Sequence, residues 1–354
     1  MMSSCGIGLK DTERGSHLFY TMLLKPHSNV RYQQSLLTLA MTELRCALKC
    51  FGIAAEPELI TLGGKNWLSF EAENLSEEAW RHISSNAGCC MNAERNGEWL
   101  RPLEGGIPCY YPDELPQLLK YKGKTNADFT QMLIHCARYA SDFASGNEPL
   151  LVLDPMCGKG TTLFCALVEG HNALGSDVDT KALNEADTYF ARSLKLHRFK
   201  HKREENSLTM PKGRSVRMVH YSLSNTPEAW KQGDKRTLRL LQGDQDCLSQ
   251  ALQKSCCHIA VADLPYGVQH APSDGGRTAS LDKLVDKTAR VCADMLKKGG
   301  AAALSFNTYT LQRRRVEEAL EKEGLVPLRD APYNGFAHWV EQAVTRDIAV
   351  CVKK

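Results

Sequence analysis

The sequence predicts an α/β protein in which a mostly parallel sheet carries helices on both faces, preceded by a small α+β module. Three observations support this prediction. From residue 149 onward, short apolar runs alternate with helical segments, a pattern typical of parallel sheets. Residues 17–96 instead contain segments in the order β-α-β-β-α-β. Residues 97–125 are rich in Gly, Pro and Tyr, so we expect a linker between a first domain, 17–96, and a second domain, 126–354, with a flexible start at 1–16.

The first domain is expected to hold four strands and two helices. In the longer helix, apolar residues such as Leu36 and Leu44 recur at helical spacing, and Gly63-Gly64 is a hairpin signal between the second and third strands. The predicted elements are a strand at His17–Leu24, a helix at Arg31–Phe51, strands at Pro57–Leu62 and Asn66–Glu71, a helix from Ser76, and a strand at Gly88–Ala93. This order indicates a ferredoxin-like domain, a fold that hosts many functions.

The second domain is expected to begin with a helix, Ala127–Ala144, and to continue with seven strands. Each strand is a short apolar run bounded by turn signals. The runs are Leu150–Asp154, Ala173–Asp177, Leu238–Gln242, His258–Asp263, Ala301–Phe306, Leu325–Leu328 and Asp347–Val352. A long connection, 180–237, separates the second and third strands and contains a further strand candidate, Ser215–Tyr221. Connections of this length in compact domains are usually functional or disordered.

Composition and charge narrow the function only slightly. Lys and Arg number 44 against 41 for Asp and Glu, a net charge of +3, so a nucleic-acid surface must come from local clustering. The 14 cysteines are scattered, form no C-x-x-C and follow no secretory signal pattern. We therefore expect free thiols, no bound metal and a cytoplasmic location. No apolar run approaches the roughly 18 residues that a membrane span needs.

A glycine loop follows the first strand of the second domain. Residues 154–162 are Asp-Pro-Met-Cys-Gly-Lys-Gly-Thr-Thr, and a helix-like run comes next. The two glycines let backbone N–H groups at a helix start face a nucleotide-like ligand. The spacing is not that of a phosphate loop, because no Ser or Thr follows Gly158-Lys159 directly. The candidate binding residues are Asp154, Met156, Gly158, Gly160 and Thr161, although a plain strand-to-helix turn would fit this motif alone equally well.

Acidic residues follow the next two strands. Asp177 ends the second strand about 20 residues after the glycine loop, where a carboxylate can accept hydrogen bonds from ribose hydroxyls, and Val178 lies beside it. Asp179 is expected to cap the next helix. Gly243-Asp244 follows the third strand and is a candidate acceptor for an adenine amino group, although an ordinary turn has the same sequence.

The most specific motif is Asp263-Leu264-Pro265-Tyr266-Gly267, directly after the fourth strand. An exocyclic amine on a base is a poor nucleophile, so a catalyst needs acceptors that hold its hydrogens and orient its lone pair. The Asp263 carboxylate and a backbone carbonyl of the Leu264-Pro265 step are candidates for this role. Proline fixes the turn, and Tyr266 can stack on a base taken out of its helix.

Together these motifs resemble those of class I S-adenosylmethionine-dependent methyltransferases of the amino-group type. The match is closest to the RNA guanine-N2 methyltransferases related to the THUMP-associated tRNA enzymes, and it covers about residues 121–354. The resemblance implies a Rossmann-like domain whose seven-stranded, mostly parallel sheet has an antiparallel last strand. It also implies S-adenosylmethionine as the cofactor and RNA, tRNA first among the classes, as the partner.

The resemblance also assigns roles to residues. The glycine loop would hold the methionine part of the cofactor, Asp177 the ribose and Asp244 the adenine, while Asp263–Tyr266 would address the amine. The segment Lys124–Phe129 is similar to a short family motif that closes over the cofactor.

The chain departs from this family in two places. Its first domain resembles the ferredoxin-like domain that precedes the THUMP domain, but residues 97–125 are too few for a complete THUMP domain. Leu264 stands where proline is commoner, and it keeps the backbone acceptor.

Several other side chains are weaker candidates. His338 and Trp339 are candidates for the base pocket, although packing is the commoner role of a Trp. Arg313–Arg315 and a run after the second strand, predicted to be helical, are candidates for phosphate contacts, although a solvated face explains most such runs. That run consists of Lys195, His197, Arg198, Lys200, His201, Lys202 and Arg203.

We therefore expect direct methyl transfer to an exocyclic amine, guanine N2 of tRNA or another structured RNA, without a cysteine nucleophile. A DNA adenine-N6 or cytosine-N4 methyltransferase is the alternative, because the same chemistry serves those amines. A catalytically silent RNA-binding module is a second alternative. An NAD-dependent oxidoreductase is disfavoured, because Leu163 stands where the third glycine of G-x-G-x-x-G would be.

Overall fold

The computed structural model describes residues 18–27, 30–73, 75–119, 124–265 and 277–354, without the side chains of 30–32, 212 and 277–280. The expected flexible start, 1–16, lies outside these residues. Within the described ranges, no helix combines the length and apolar character that crossing a membrane requires.

The first domain contains the six predicted elements in the predicted order and one further strand. Their bounds are β1 Leu18–Leu24, α1 Val30–Cys50, β2 Glu58–Leu62, β3 Lys65–Ala72, α2 Glu77–Ile83 and β4 Cys89–Asn96, and the further strand is β5 Trp99–Pro102. The five strands form an antiparallel sheet in the order β2-β3-β1-β4-β5. Helix α2 begins where predicted, because the Ser76 side chain accepts a hydrogen bond from the Ala79 N–H at 3.1 Å.

Strand β5 corrects the sequence prediction, which placed these residues in the linker. It forms a hairpin with β4 around Gly97, which has a φ of 60°. The strand has only four residues and is mostly exposed, so its apolar pattern is too short to recognise. Among the described residues of the rest of the predicted linker, 103–119 and 124–125, one short helix forms, α3 Leu115–Leu118.

The second domain holds all seven predicted strands. Its elements are α4 Ala127–Ala140, β6 Leu151–Asp154, α5 Thr161–Val168, β7 Asn172–Asp177, α6 Thr180–Leu196, β8 Lys200–Thr209, β9 Ser215–Ser224, α7 Pro227–Gln232, β10 Arg236–Gln242, α8 Asp246–Ala251, β11 Cys257–Asp263, α9 Arg277–Met295, β12 Leu296–Asn307, α10 Arg313–Lys322, β13 Leu325–Pro327, β14 His338–Glu341 and β15 Val344–Lys353. Helix α4 ends four residues before the predicted Ala144, where the Ser141 N–H bonds back to the Arg138 carbonyl.

The sheet of this domain is mixed and mostly parallel. Its order is β13-β15-β12-β11-β6-β7-β10-β9-β8, with β14 paired to β15. Neighbours from β10 through β12 run parallel, and the last strand, β15, is antiparallel to β12 as predicted. The carboxyl ends of β6, β7, β10 and β11 therefore meet at one edge, where ligands bind in open α/β sheets.

The long connection between β7 and β10 forms a hairpin that widens the sheet. Strand β9 confirms the candidate at Ser215–Tyr221, but β8 was not predicted, and its first residues belong to the basic run assigned to a helix. That helix ends at Leu196. Part of this run is paired with carboxylates: Lys202 lies 2.8 Å from Glu204, and Arg203 contacts Asp187 at 2.7 Å and Glu205 at 2.9 Å.

The two domains pack on each other through α1. This helix contacts α4 and β14, and one apolar core extends from Met22 and Leu44 to Leu133 and Val152. The Ser35 hydroxyl donates to the Trp339 carbonyl at 2.6 Å across this contact. The first domain therefore covers the side of the second domain formed by α4 and β14.

Candidate functional site

The glycine loop connects β6 to α5 and has an open face. Gly160, with a φ of 86°, is the N-cap of α5, and Gly158 has a φ of 50°. Both values lie in the left-handed region that favours glycine. A Cβ at Gly158 would meet no heavy atom within 4 Å. The backbone N–H groups at the start of α5 thus lie beside space that a ligand can enter.

Asp154 closes the base of this loop. Its Oδ1 accepts a hydrogen bond from the Met156 N–H at 2.9 Å. Burial raises the pKa of Asp154 to about 7, while hydrogen bonds from Thr162 and Met156 oppose the rise and the charges of Asp177 and Asp263 add to it. The three carboxyl groups are therefore close enough to influence one another, and the charges of Asp177 and Asp263 favour a cationic ligand.

Asp177 connects the loop to the next strand. Its Oδ2 accepts from the Gly158 N–H at 2.7 Å and its Oδ1 from the Asp179 N–H at 2.8 Å. Each carboxylate oxygen retains a second lone pair that can accept a ribose hydroxyl. Asp179 caps α6 as predicted, accepting from the Lys181 and Ala182 N–H groups, and Val178 between them is largely exposed.

Gly175, which the sequence analysis did not single out, lets the loop lie against β7. A Cβ there would come within 2.7 Å of the Cys157 Sγ and of the Leu163 Cδ1. Gly175 lies inside β7, shortly before Asp177. Because a glycine inside a strand often marks the close approach of another segment, the sequence carried a signal for this contact.

Asp244, the third acidic residue predicted to contact the cofactor, is partly exposed to solvent. The Gly243 N–H donates to the Asp177 carbonyl at 2.9 Å, which fixes the loop after β10 against β7. The Asp244 carboxylate is 45% exposed and lies 3.4 Å from the Lys287 ammonium. The next residue, Gln245, is 3% exposed, and its Oε1 and Nε2 have no hydrogen-bond partner among the described residues. Sequence reasoning missed this buried amide.

Two other segments of the chain contact Asp263. It ends β11, the Thr125 hydroxyl before α4 donates to its Oδ2 at 2.7 Å, and the Arg346 Nη2 of β15 lies 3.7 Å from the same oxygen. The Arg346 guanidinium lies over the Phe129 ring at 4.3 Å. The structure thus places the predicted segment Lys124–Phe129 next to the Asp263 carboxylate. It also brings Arg346 to this carboxylate, and no local sequence motif identifies that arginine.

The rest of the D-L-P-Y motif is described only in part. Leu264 is buried, and its N–H donates to the Ser305 carbonyl at 2.9 Å. Its side chain therefore anchors the turn. Pro265 is half-buried, and Tyr266 lies outside the described residues.

The weaker candidates for substrate contacts fall into two groups, His338 with Trp339 and the cluster Arg313–Arg315. His338 is buried, lies near Phe129 with the ring centroids 5.5 Å apart and the rings tilted, and lines a cavity that Trp339 also lines. The second basic cluster is occupied by acidic partners: Arg313 lies 3.0 Å from Asp347. Arg315 lies 2.9 Å from each of two helix α9 carboxylates, and Arg314 lies 2.7 Å from Glu318.

No protein-family model matches this chain, and no curated protein matches it. Solved structures do match. A TehB-like S-adenosylmethionine-dependent methyltransferase from Corynebacterium glutamicum is 16% identical, with a TM-score of 0.37 over 64% of this chain and 87% of that one. Magnesium protoporphyrin IX methyltransferase from Synechocystis, with bound S-adenosylmethionine, is 16% identical, with a TM-score of 0.38 over 66% and 87%. A proposed RNA methyltransferase from Pyrococcus horikoshii is 14% identical, with a TM-score of 0.38 over 68% and 88%. These scores are low, so our description of the fold rests on the strand order itself.

Proposed function

We propose that this protein is an S-adenosylmethionine-dependent methyltransferase that acts on the exocyclic amine of a nucleobase, guanine N2 in tRNA or another structured RNA. One observation carries the proposal: the open glycine loop, the Asp177 carboxylate and the Asp263-Leu264-Pro265 turn lie at the carboxyl ends of neighbouring parallel strands. A donor held by the first two would therefore lie next to an amine held by the third.

The residues at this edge fit the cofactor. Asp177 offers acceptors for ribose hydroxyls. The Gln245 amide beside Gly243-Asp244, which has no hydrogen-bond partner in the part of the chain that the structure describes, suits the donors and acceptors of an adenine edge. Asp154, Met156, Gly158, Gly160 and Thr161 line the loop, with Val178 exposed beside it. When bound, the cofactor would supply an electrophilic methyl group on a positively charged sulfur, which the carboxylates of Asp177 and Asp263 would favour.

Asp263 would hold the amine. Its carboxylate accepts a hydrogen bond from one N–H and orients the nitrogen lone pair toward the methyl group. The proton that the nitrogen loses on methylation would pass through Asp263 to solvent. Thr125 and Arg346 contact Oδ2, which fixes the orientation of the carboxylate.

The thiol closest to this chemistry is unsuited to covalent catalysis. Burial raises the pKa of Cys157 well above its usual range, so the thiolate that nucleophilic attack requires is not formed near neutral pH. This supports direct transfer to the amine.

The test is transfer of tritiated methyl groups from S-adenosylmethionine to total RNA and, separately, to genomic DNA from cells that lack the protein, followed by nucleoside identification. We expect label in N2-methylguanosine of RNA. Asp263→Ala should lower the rate at least about a hundredfold while cofactor binding persists. Asp330→Ala, an exposed aspartate after β13, is the matched control and should be fully active.

Other outcomes decide between the alternatives. Label confined to DNA would replace the proposal with a DNA adenine-N6 or cytosine-N4 methyltransferase. Cofactor binding without label in either polymer would favour the silent RNA-binding module. Full activity of Asp263→Ala would contradict the role given to that carboxylate.

A further inference from the structure

Two adjacent cysteines lie at the start of β11. Cys256 is half-buried, Cys257 is fully buried, and their sulfur atoms lie 3.7 Å apart. Successive side chains of a regular strand point to opposite faces of the sheet, which would keep two neighbouring thiols apart. The contact between the two sulfur atoms therefore shows that the backbone at this pair departs from regular strand geometry.

The backbone is irregular on both sides of the pair. Ser255, directly before it, has a φ of 52°, in the left-handed region that residues other than glycine rarely adopt. After the pair, the register of β11 against β12 shifts between Cys257 and Ile259. These two irregularities allow both cysteine side chains to lie on the same side of the chain.

The surroundings of the pair favour a thiolate on Cys256. A hydrogen bond from the Cys257 thiol lowers the pKa of Cys256, and this effect outweighs burial. The cations of Arg239 in β10 and Lys297 in β12 lower it further. The Lys297 ammonium lies 2.8 Å from the Nε2 of His258, the residue after the pair. The pKa of Cys257 is raised, first by its hydrogen bond to Cys256 and then by burial, so a thiolate and a thiol lie side by side.

Two other thiols of the same core have the opposite character. Cys292 of α9 and Cys351 of β15 are fully buried, and burial raises the pKa of both. Because oxidation requires thiolate character and access to solvent, these two residues are poor targets for an oxidant. Cys256 has both properties.

We propose that Cys256 and Cys257 form a site of reversible oxidation, at which a hydroperoxide converts the two thiols into a disulfide between adjacent residues. The Cys256 sulfur attacks one peroxide oxygen, the O–O bond breaks, and the other oxygen leaves as hydroxide or alkoxide. The Cys257 sulfur then attacks the sulfur of the resulting sulfenic acid. The S–O bond breaks, and the sulfenic oxygen leaves as water with the Cys257 proton. The two sulfurs lose two electrons in total, and the peroxide oxygens gain them.

This site is separate from the proposed methyl-transfer site. Strand β11 runs from Cys257 at one edge of the sheet to Asp263 at the other. Six residue steps of a strand span roughly 20 Å. The oxidation of the pair can therefore be tested without a methyl acceptor, and its outcome does not depend on the proposed function.

The test treats the full-length wild-type protein with a few-fold molar excess of hydrogen peroxide at neutral pH. Remaining thiols are then alkylated with iodoacetamide under denaturing conditions and mapped by mass spectrometry. Trypsin releases residues 255–277 as one peptide, whose only cysteines are Cys256 and Cys257. We expect this peptide to lose two hydrogen atoms and to resist alkylation. Dithiothreitol added before iodoacetamide should restore both thiols.

Variants separate the roles of the two sulfurs. Cys256→Ser removes the attacking thiolate, so Cys257 should remain fully alkylated after the same treatment. Cys257→Ala removes the second thiol, so oxidation of Cys256 should stop at a sulfenic acid that dimedone traps. Cys109→Ser is the matched control, because Cys109 is an exposed thiol before α3, and its disulfide yield should equal that of the wild type. Melting temperatures show whether each variant is folded, and the wild-type peptide map carries the test if Cys257→Ala is not.

Two free thiols in the peptide of the peroxide-treated wild type would overturn the proposal. A disulfide that joins either cysteine to a different peptide would overturn it as well. So would a wild-type protein in which Cys256 is oxidised to a sulfenic or sulfinic acid while Cys257 remains a free thiol.

Discussion

Arg346 is a buried cation in β15, and its surroundings explain why it is there. Its guanidinium lies over the Phe129 ring and faces the Asp263 carboxylate. A cation on an aromatic face near a carboxylate is held in one orientation. Because Thr125 contacts the same oxygen, Arg346 and Thr125 together act as positioning residues for Asp263.

Replacement of Arg346 by methionine should therefore lower kcat about tenfold to a hundredfold, with little change in the KM for S-adenosylmethionine. Arg346→Lys should recover part of the loss, since it restores the charge without the planar geometry. Steady-state kinetics provide the measurement. A variant with a lower melting temperature but wild-type kcat would show that Arg346 serves packing alone.

Asp177 offers a second test at single residues. Asp177→Ala removes the acceptors proposed for the ribose and the two hydrogen bonds to the loops. Hydrogen bonds to charged groups contribute about 1.5–3 kcal/mol, so the cofactor Kd should rise about tenfold to a hundredfold. Isothermal titration calorimetry measures it. The control is Asp179→Ser, which keeps a helix cap and should bind normally; an unchanged Kd for Asp177→Ala would exclude its cofactor role.

Residues with local signals could be placed from the sequence, and residues with distant partners could not. Asp154, Asp177 and Asp263 each end an apolar strand, so the strand order alone brings them to one edge. Arg346 and Gln245 lack such a signal. The position of Arg346 depends on the β14–β15 hairpin, and the burial of Gln245 depends on tertiary packing.

At the scale of elements, the same distinction between local signals and distant partners explains why β8 was not predicted. Seven strands of the second domain are short apolar runs, and each was recognisable. Strand β8 is polar along most of its length and has no apolar periodicity. Cross-strand pairs such as Arg217 with Glu205, whose side chains lie 2.7 Å apart, stabilise it against β9. Such pairing becomes visible only once the partner strand is known.

The contact between the glycine loop and β7 yields a prediction for Gly175. A Cβ in Gly175→Ala would lie too close to Cys157 and Leu163, so the loop must move. Overpacking of this kind costs about 1–3 kcal/mol. The melting temperature should fall and the cofactor Kd should rise together. If Gly175→Ala keeps the wild-type values of both, the loop does not depend on this close approach.

At the scale of the whole molecule, a buried charge network joins the two domains. The His135 ring of α4 lies between two carboxylates: its Nδ1 is 2.5 Å from Glu43 of α1, and its Nε2 is 2.9 Å from Glu169 after α5. Glu43 also accepts from the Ala87 N–H, at 3.1 Å from each oxygen. A buried imidazolium between two carboxylates thus couples docking of the first domain to the second.

This network predicts how stability depends on pH. Burial alone would lower the pKa of His135, but Glu169 and Glu43 outweigh it and raise this pKa to about 10. Burial alone would raise the pKa of Glu169, but His135 lowers it to about 2. The contribution of His135 is therefore complete below about pH 6.5 and is lost as the pH rises toward 10. The contribution of Glu169 is complete above about pH 4.5 and is lost as the pH falls toward 2.

Wild-type protein should therefore lose melting temperature steadily from about pH 6.5 to 10. Glu43→Gln removes one of the two carboxylates that hold the proton on His135, so its melting temperature should be lower at pH 6.5 and should fall less over the same range. His197→Gln, at the end of α6, should keep the wild-type slope. Equal slopes for Glu43→Gln and wild type would show that His135 is not held as an imidazolium between the domains.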